Sequence, residues 1–384
     1  MASLKTVAEK ANVSVYTAYQ ALNNSAEIDA TVRSAVSKAA DTLNYNFNIT
    51  LRDVAAYAGV STTTVSYVLN NNPLVKPATR ELVLRAIKDL NYHPNTNARN
   101  LKSNEARMIG YAWHVMEDPI RRNAILDRFL YDMAQAAESY GYHVLTFTQP
   151  AQLGVKPYDE LISTNRVDGF ILTDTTFNDR RIKHLMDKKV PFAAWGHSNP
   201  DWNYPYVDVD GRRGMELAVE HLVLRGHKRI AFLGWPDGTV VGDARKNGYY
   251  SAMRAAGIEP PPDWIGYTPN IVEYAYRAAQ QVLSANPRPT AVVCVNDVMA
   301  LGVRSYLESV NLQIGEDVAV IGYDDTPIAD LLGLTSIRQP VNEVAARVID
   351  LLMAEIQGGT ITKRQIVLEP SLIVRMSSRG RRSA

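Results

Sequence analysis

Residues 4–45 realign on residues 51–92 at a constant offset of 47 without a gap, and roughly sixteen of the 42 pairs are identical. Val7-Ala8 matches Val54-Ala55, Val13-Ser14 matches Val60-Ser61, and Leu22-Asn23-Asn24 matches Leu69-Asn70-Asn71. Arg33 matches Arg80, and Leu43-Asn44-Tyr45 matches Leu90-Asn91-Tyr92. A self-match of this kind marks a duplicated small unit and fixes the organisation of the first quarter of the chain.

Each copy predicts three short helices. In the second, Thr50 with Asp53 three residues on resembles a capping box, and Leu51, Val54, Ala55 and Ala58 make an apolar face at 3,4 spacing. Gly59 suits a left-handed turn, and Ser61 suits the N-cap of a helix over 62–69. Asn70-Asn71-Asn72-Pro73 stops that helix, and Pro77 opens a third that runs to residue 90. Two helices of about eight residues across a tight turn make a helix-turn-helix pattern. Periodicity alone fits a generic three-helix bundle equally well.

Charge separates the two readings. The whole chain carries 41 Lys and Arg against 40 Asp and Glu, a net of +1, so any nucleic-acid signal must be local. Residues 49–105 hold Arg52, Lys76, Arg80, Arg85, Lys88, Arg99 and Lys102 against Asp53, Glu81, Asp89 and Glu105, a local net of about +3. Residues 1–48 balance four basic against four acidic residues. The second copy is therefore the better DNA reader.

At 384 residues the chain exceeds one core, and 46% hydrophobic with 21% charged residues excludes a disordered or fibrous protein. No apolar run approaches the length of a membrane span, and Met1-Ala2-Ser3-Leu4-Lys5 does not read as a secretory leader, so a cytoplasmic location is expected. The single cysteine, Cys294, sits in an apolar strand and cannot pair within the chain. From residue 108 onward apolar runs alternate with amphipathic helices, and Gly141, Gly226 and Gly257 follow helices as caps. Repeated βα units over about 275 residues imply parallel sheets in two lobes with a cleft.

The stretch from Leu51-Arg52-Asp53-Val54-Ala55-Ala56-Tyr57-Ala58-Gly59-Val60-Ser61 through Asn91-Tyr92-His93-Pro94-Asn95 resembles the DNA-binding head of the lactose/galactose-repressor family. Ala98-Arg99-Asn100-Leu101-Lys102 resembles that family's hinge helix. Val167-Asp168-Gly169-Phe170-Ile171, Val219-Glu220-His221-Leu222 and Gly322-Tyr323-Asp324-Asp325 are similar to its effector domain, which itself resembles periplasmic sugar-binding proteins. The resemblance covers nearly all of residues 50–375 and leaves the first copy outside it, since family members normally carry one head.

The resemblance implies helical N-terminal heads followed by a two-lobed α/β effector domain: a degenerate helix-turn-helix repeat over 1–48, a DNA-binding head over 49–94, a hinge over 95–106, and an effector-binding and dimerisation domain over 107–384. It implies DNA contacts at Thr50, Ser61, Thr62, Thr63, Thr64, Tyr67 and Asn70, and in the hinge at Asn95, Ala98, Arg99, Leu101 and Lys102. Leu101 would wedge between base steps in the minor groove. The corresponding positions of the first copy, Val15, Tyr16 and Gln20, are either a second DNA face or a structural surface. The implied effector residues are Asn123, Asp174, Trp195, Trp235, Arg245 and Asp297. Arg245 would span two adjacent hydroxyls or a carboxylate, Asp297 would accept from ligand hydroxyls or cap the helix that follows, and the tryptophans would stack on a sugar face or belong to the core.

The implied activity is a ligand-controlled repressor acting as a homodimer on double-stranded operator DNA, with a mono- or oligosaccharide effector, no cofactor and no membrane association. Catalytic motifs are not found, and His221 with His227 reads as structural rather than metal-binding. A transport-type sugar-binding protein would share the cleft but not the basic helix-turn-helix. A sugar-processing enzyme would need a paired acid and base, which Asp297 beside Arg245 does not supply.

Overall fold

The computed structural model describes residues 3–45, 47–92, 105–114, 124–359 and 362–379. The chain divides into two compact units, Met1–Asn104 and Glu105–Ala384. Among the described residues no helix is long and apolar enough to cross a membrane.

In the first unit, α1 (Leu4–Lys10), α2 (Val15–Leu22) and α3 (Ala30–Thr42) are repeated as α4 (Leu51–Ala58), α5 (Thr62–Leu69) and α6 (Pro77–Asp89). The local chemistry explains the boundaries. Gly59 ends α4 at φ +65°, and Asn12 takes the same left-handed turn in the first copy at φ +53°. The Ser61 hydroxyl accepts the Thr64 N–H at 3.0 Å and starts α5. Val7 and Val54, and Val36 and Val83, fill equivalent fully buried places. Arg33 and Arg80 are also equivalent in role. The Arg80 guanidinium donates to the carbonyls of Val68 and Asn72, and the Arg33 guanidinium to those of Ser25 and Ile28. Arg80 thus holds the turn after α5, and the positive patch of the second head rests on exposed Arg52, Lys76, Arg85 and Lys88 instead.

The second unit has two six-stranded sheets. The first contains β1 (Met108–His114), β2 (His143–Gln149), β3 (Gly169–Leu172), β4 (Phe192–Trp195), β5 (Tyr206–Val209) and β11 (Gln365–Leu368), in the order β11-β5-β4-β3-β1-β2. The second contains β6 (Ile230–Gly234), β7 (Ile265–Tyr267), β8 (Ala291–Cys294), β9 (Ala319–Tyr323), β10 (Thr335–Arg338) and β12 (Ser371–Ile373), in the order β12-β10-β9-β8-β6-β7. Neighbours pair in parallel except β12, which runs antiparallel to β10. The central strands β3, β6, β8 and β9 are buried along their whole length, as parallel strands covered on both faces must be.

The covering helices are α7 (Ala124–Ser139), α8 (Lys156–Ser163), α9 (Arg180–Lys188) and α15 (Val341–Gln357) on the first sheet. On the second they are α10 (Gly211–Leu224), α11 (Val240–Ala255), α12 (Val272–Leu283) and α13 (Asp297–Ser309), with short α14 (Pro327–Leu331) after β9. The chain crosses between the lobes three times: after β5, between β10 and α15, and between β11 and β12. Cys294 lies buried in β8, where burial pushes its thiol up. His221 sits 2.9 Å from the Ser378 hydroxyl and His227 2.9 Å from that of Thr290.

Candidate functional site

Parallel strands present their C-terminal ends together, and here the ends of both sheets face one cavity of about 480 Å3 within the second unit. From the first lobe come Asp174 after β3, Trp195 at the end of β4, and His197 just beyond it. From the second come Trp235 after β6, Asn296 after β8, Asp324 after β9 and Arg245 on α11. Asp208 comes from β5 of the first sheet, and the crossovers supply Asp210 and Gln339. Ile125, Leu126, Val209, Val240, Val241 and Val367 make much of the remaining wall apolar.

Arg245 is 4% exposed and organises the second-lobe wall. Its guanidinium lies 3.6 Å above the Tyr323 ring and 5.6 Å from that of Trp235. It donates to the Val295 carbonyl and pairs with the Asp324 carboxylate at 3.5 Å, while its Nε is buried with no hydrogen-bond partner among the described residues. Gln339 donates to the same Asp324 oxygen at 2.7 Å. Burial pushes the Asp324 carboxyl up, and Arg245 opposes that shift.

The Gly322-Tyr323-Asp324-Asp325 stretch has a residue-by-residue explanation. A Cβ on Gly322 would lie 2.2 Å from an Asp297 carboxylate oxygen, so only glycine fits. Tyr323 supplies the face under Arg245. Asp324 sits at φ +100° and Asp325 at φ +48°, a strained turn of the kind found at ligand sites. The turn is held because Asp325 accepts from Arg338 and Arg375, each at 2.6 Å, and the Asp324 N–H donates to the Ile337 carbonyl at 2.7 Å.

Asp297, expected to accept hydrogen bonds from a ligand, is not on the cavity wall. It is 1% exposed, and its carboxylate accepts from the Thr326 N–H (2.7 Å), the Thr326 hydroxyl (2.8 Å) and the Ser336 hydroxyl (2.6 Å). Burial, reinforced by Asp324, raises it to about 7. Its neighbour Asn296 takes the wall position and caps α13 by accepting the Met299 N–H at 3.0 Å. Asp297 therefore braces the 324–326 turn from behind. Asp174, Trp195, Trp235 and Arg245 all reach the cavity as expected, whereas Asn123 lies outside the described residues.

His197 and Asp208 had no signal in the sequence pattern. The His197 ring Nδ1 lies 2.5 Å from an Asp208 oxygen, which also accepts the His197 backbone N–H at 3.1 Å. The Asp208 hydrogen bond raises the imidazole above its ordinary 6.5, against the effect of burial. A raised folded value stabilises the protein fully below about pH 6.5 and loses that contribution as pH climbs through the raised midpoint. Proton NMR of the His197 ring is expected to show titration above 6.5, returning to 6.5 or below in Asp208→Asn. An unchanged midpoint in that variant would mean Asp208 does not set it.

On the second head, Thr62, Thr63 and Asn70 are exposed and Tyr67 is 44% exposed, lining the outer side of α5. Ser61 and Thr64 spend their hydroxyls on each other at 2.9 Å at the start of that helix, and Thr50 is tied to Asp53 at 2.6 Å. Leu74, not anticipated, is 82% exposed just past the 70–73 turn. Asn95, Ala98, Arg99, Leu101 and Lys102 lie outside the described residues. In the first copy Tyr16 is 41% exposed, and Val15 and Gln20 are half-buried.

Residues 3–48 and, separately, 50–95 match the family model described as bacterial regulatory proteins, lacI family. Residues 219–378 match a periplasmic binding protein-like domain. The HTH-type transcriptional repressor CytR of Escherichia coli (strain K12) is 32% identical over 305 residues, covering 73% of this chain and 88% of that protein. The HTH-type transcriptional repressor PurR of Klebsiella pneumoniae (strain 342) is 31% identical, over 98% of this chain and 97% of its own length. Among solved structures, a Lac repressor dimer bound to operator and the anti-inducer ONPF is 29% identical with a TM-score of 0.72, over 86% of this chain and 99% of that one. A complex of the transcriptional regulator CelR with cellobiose is 30% identical with a TM-score of 0.66, over 86% of this chain and 100% of that one.

Proposed function

The chain belongs to the lacI family of bacterial regulatory proteins, and from that premise we propose that it is a sugar-responsive repressor that binds operator DNA as a homodimer. Residues 49–94 are the DNA-binding head, 95–106 the hinge that orders on DNA, and 107–384 the effector and dimerisation domain. The outer side of α5 reads bases through Thr62, Thr63 and Tyr67, which can hydrogen-bond base edges or touch a thymine methyl. Exposed Arg52 and Lys76 sit on the same head, as phosphate contacts require. In the hinge, Asn95, Ala98, Arg99 and Lys102 hold the backbone and Leu101 enters the minor groove.

The observation that carries the sugar assignment is the chemistry of the cavity wall. Its acids are largely compensated: Asp208 by His197, and Asp324 by Arg245 and Gln339. Asp210 faces the start of α10, where it accepts the Arg213 N–H at 2.8 Å. What remains is a set of hydrogen-bonding groups on a partly apolar wall between two tryptophans from opposite lobes, suited to a molecule with hydroxyl edges and apolar ring faces. The volume falls within the range of about 300–1,000 Å3 usual for small-molecule sites. The relative captured with cellobiose supports the same class.

Sugar binding that differs between the DNA-competent and incompetent arrangements would shift operator affinity. A thermal-unfolding series with mono- and disaccharides tests the class. One sugar is expected to raise the midpoint, with about 2.7 kcal/mol of stabilisation at a hundredfold excess over Kd. Stabilisation by a nucleobase or nucleoside and by no sugar would overturn it.

A further inference from the structure

The two heads share one hydrophobic cluster and meet around Asp53. One carboxylate oxygen of Asp53 accepts the N–H of Leu4, the first residue of α1, at 2.9 Å; the other accepts the N–H of Thr50 at 2.8 Å. A buried carboxylate thus satisfies donors at the starts of both α1 and α4, where helix dipoles favour negative charge. Beside it, Tyr16 of α2 packs on Tyr57 of α4 with ring centroids 6.0 Å apart, and Gln20 turns its amide onto the Tyr16 hydroxyl at 2.8 Å. Tyr19, on the same helix, packs at 6.0 Å against Phe47 of the linker between the heads.

The two copies diverge where they touch. At the 47-residue offset, Tyr16 corresponds to Thr63, Tyr19 to Ser66, Asp53 to Thr6, Tyr57 to Lys10 and Phe47 to Pro94. Elsewhere in the core Val7 is kept as Val54 and Val36 as Val83, while Ala18 and Ala21 become the slightly larger Val65 and Val68. Aromatic rings and a carboxylate at the positions that make the junction, where the other copy holds Thr, Ser, Lys or Pro, are what a built interface looks like, because a copy kept for groove reading would hold its small polar residues there.

We propose that the first head is a fixed buttress of the second. Tyr16 of α2, the counterpart of Thr63 on the reading face of α5, packs on Tyr57 of α4 and makes this part of α2 an intramolecular docking surface. Each chain then offers one reading helix to DNA, and a dimer two rather than four. This rests on the assignment of α5 as the operator reader.

Full-length protein tests it through two readouts. The Leu4 amide is the first of its helix and would exchange freely without a partner. Hydrogen exchange is expected to find it protected in the full chain, and Asp53→Thr, which installs the first copy's residue, should release it. Tyr16→Thr and Tyr57→Lys should each lower the unfolding midpoint of the heads by a few degrees, with the double variant losing less than the sum. Gln20→Ala should leave operator affinity and its salt dependence unchanged, and chemical footprinting should find one protected major-groove segment per half-site. A tenfold affinity loss in Gln20→Ala, a second protected segment, or free exchange at Leu4 would overturn the buttress. Loss of operator binding in Thr63→Ala separates the two readings: if that variant binds normally, it is the assignment of α5 that fails.

Discussion

Replacing Arg245 by alanine is expected to abolish the response to effector and to weaken the second lobe at the same time. The side chains of Arg245 and Asp324 are 5% and 11% exposed, so removing one leaves a carboxylate desolvated with Gln339 as its remaining side-chain donor. Breaking a buried pair from one side costs about 3–5 kcal/mol. The Val295 carbonyl and the Tyr323 ring lose their cation as well. At the ligand, each charge-assisted hydrogen bond lost removes about 1.5–3 kcal/mol, or roughly ten- to a hundredfold in affinity. Calorimetric titration with the stabilising sugar, beside an unfolding scan without it, separates the two effects. Wild-type affinity in Arg245→Ala would remove the arginine from the binding account. Arg245→Lys retains the charge but not the planar fork, and an intermediate affinity is expected of it.

The second large effect belongs to α5. A variant with Thr62, Thr63 and Tyr67 all replaced by alanine is expected to bind operator no better than unrelated DNA. Each base contact is worth about 1–3 kcal/mol of discrimination, and a dimer doubles the number. These side chains carry no charge, so non-specific affinity and its salt dependence should hardly change. Arg52→Ala should do the opposite, weakening binding to all sequences and reducing the salt slope by about one per cation removed. Competition binding with operator and scrambled duplexes reads both. If the triple variant keeps the wild-type ratio of specific to non-specific affinity, sequence is read elsewhere.

The sequence carried the architecture well because its signals were local. Gly59, Ser61 and Pro77 each set a helix boundary through a backbone preference, and the boundaries fall where those residues put them. The strands β1, β2, β3, β4, β6, β8 and β9 announced themselves as apolar runs, whereas β5, β7, β10, β11 and β12, with polar residues interrupting short apolar stretches or only three residues to show, did not. In the cleft, Asp174, Trp195, Trp235 and Arg245 were legible from their places at strand ends or on a matched motif. His197 and Asp208 were not, because the pairing of β4 with β5 brings them together, and Gln339 was not, because its place depends on the crossover after β10; neither leaves a periodicity.

Asp297 shows the limit of motif transfer, since adjacent Asn296 and Asp297 both follow β8 and only the fold decides which faces inward. The Asp53 junction was invisible for a similar reason: the Thr50–Asp53 spacing reads as a cap for one helix, and the second helix it serves begins 49 residues earlier. Arg80 adds to the local charge in the sequence, but its guanidinium is consumed by carbonyls at the end of α5, which a charge count does not register.

The central claim is that one chain couples a sugar in its cleft to DNA at its heads, and thermodynamic linkage makes that claim symmetric. The decisive measurement is the affinity for the stabilising sugar in the absence and presence of saturating operator duplex, set against operator affinity with and without the sugar. The account predicts the same factor in both directions, about 5- to 150-fold. Equal sugar affinity with and without operator would contradict it, however tightly each partner binds alone.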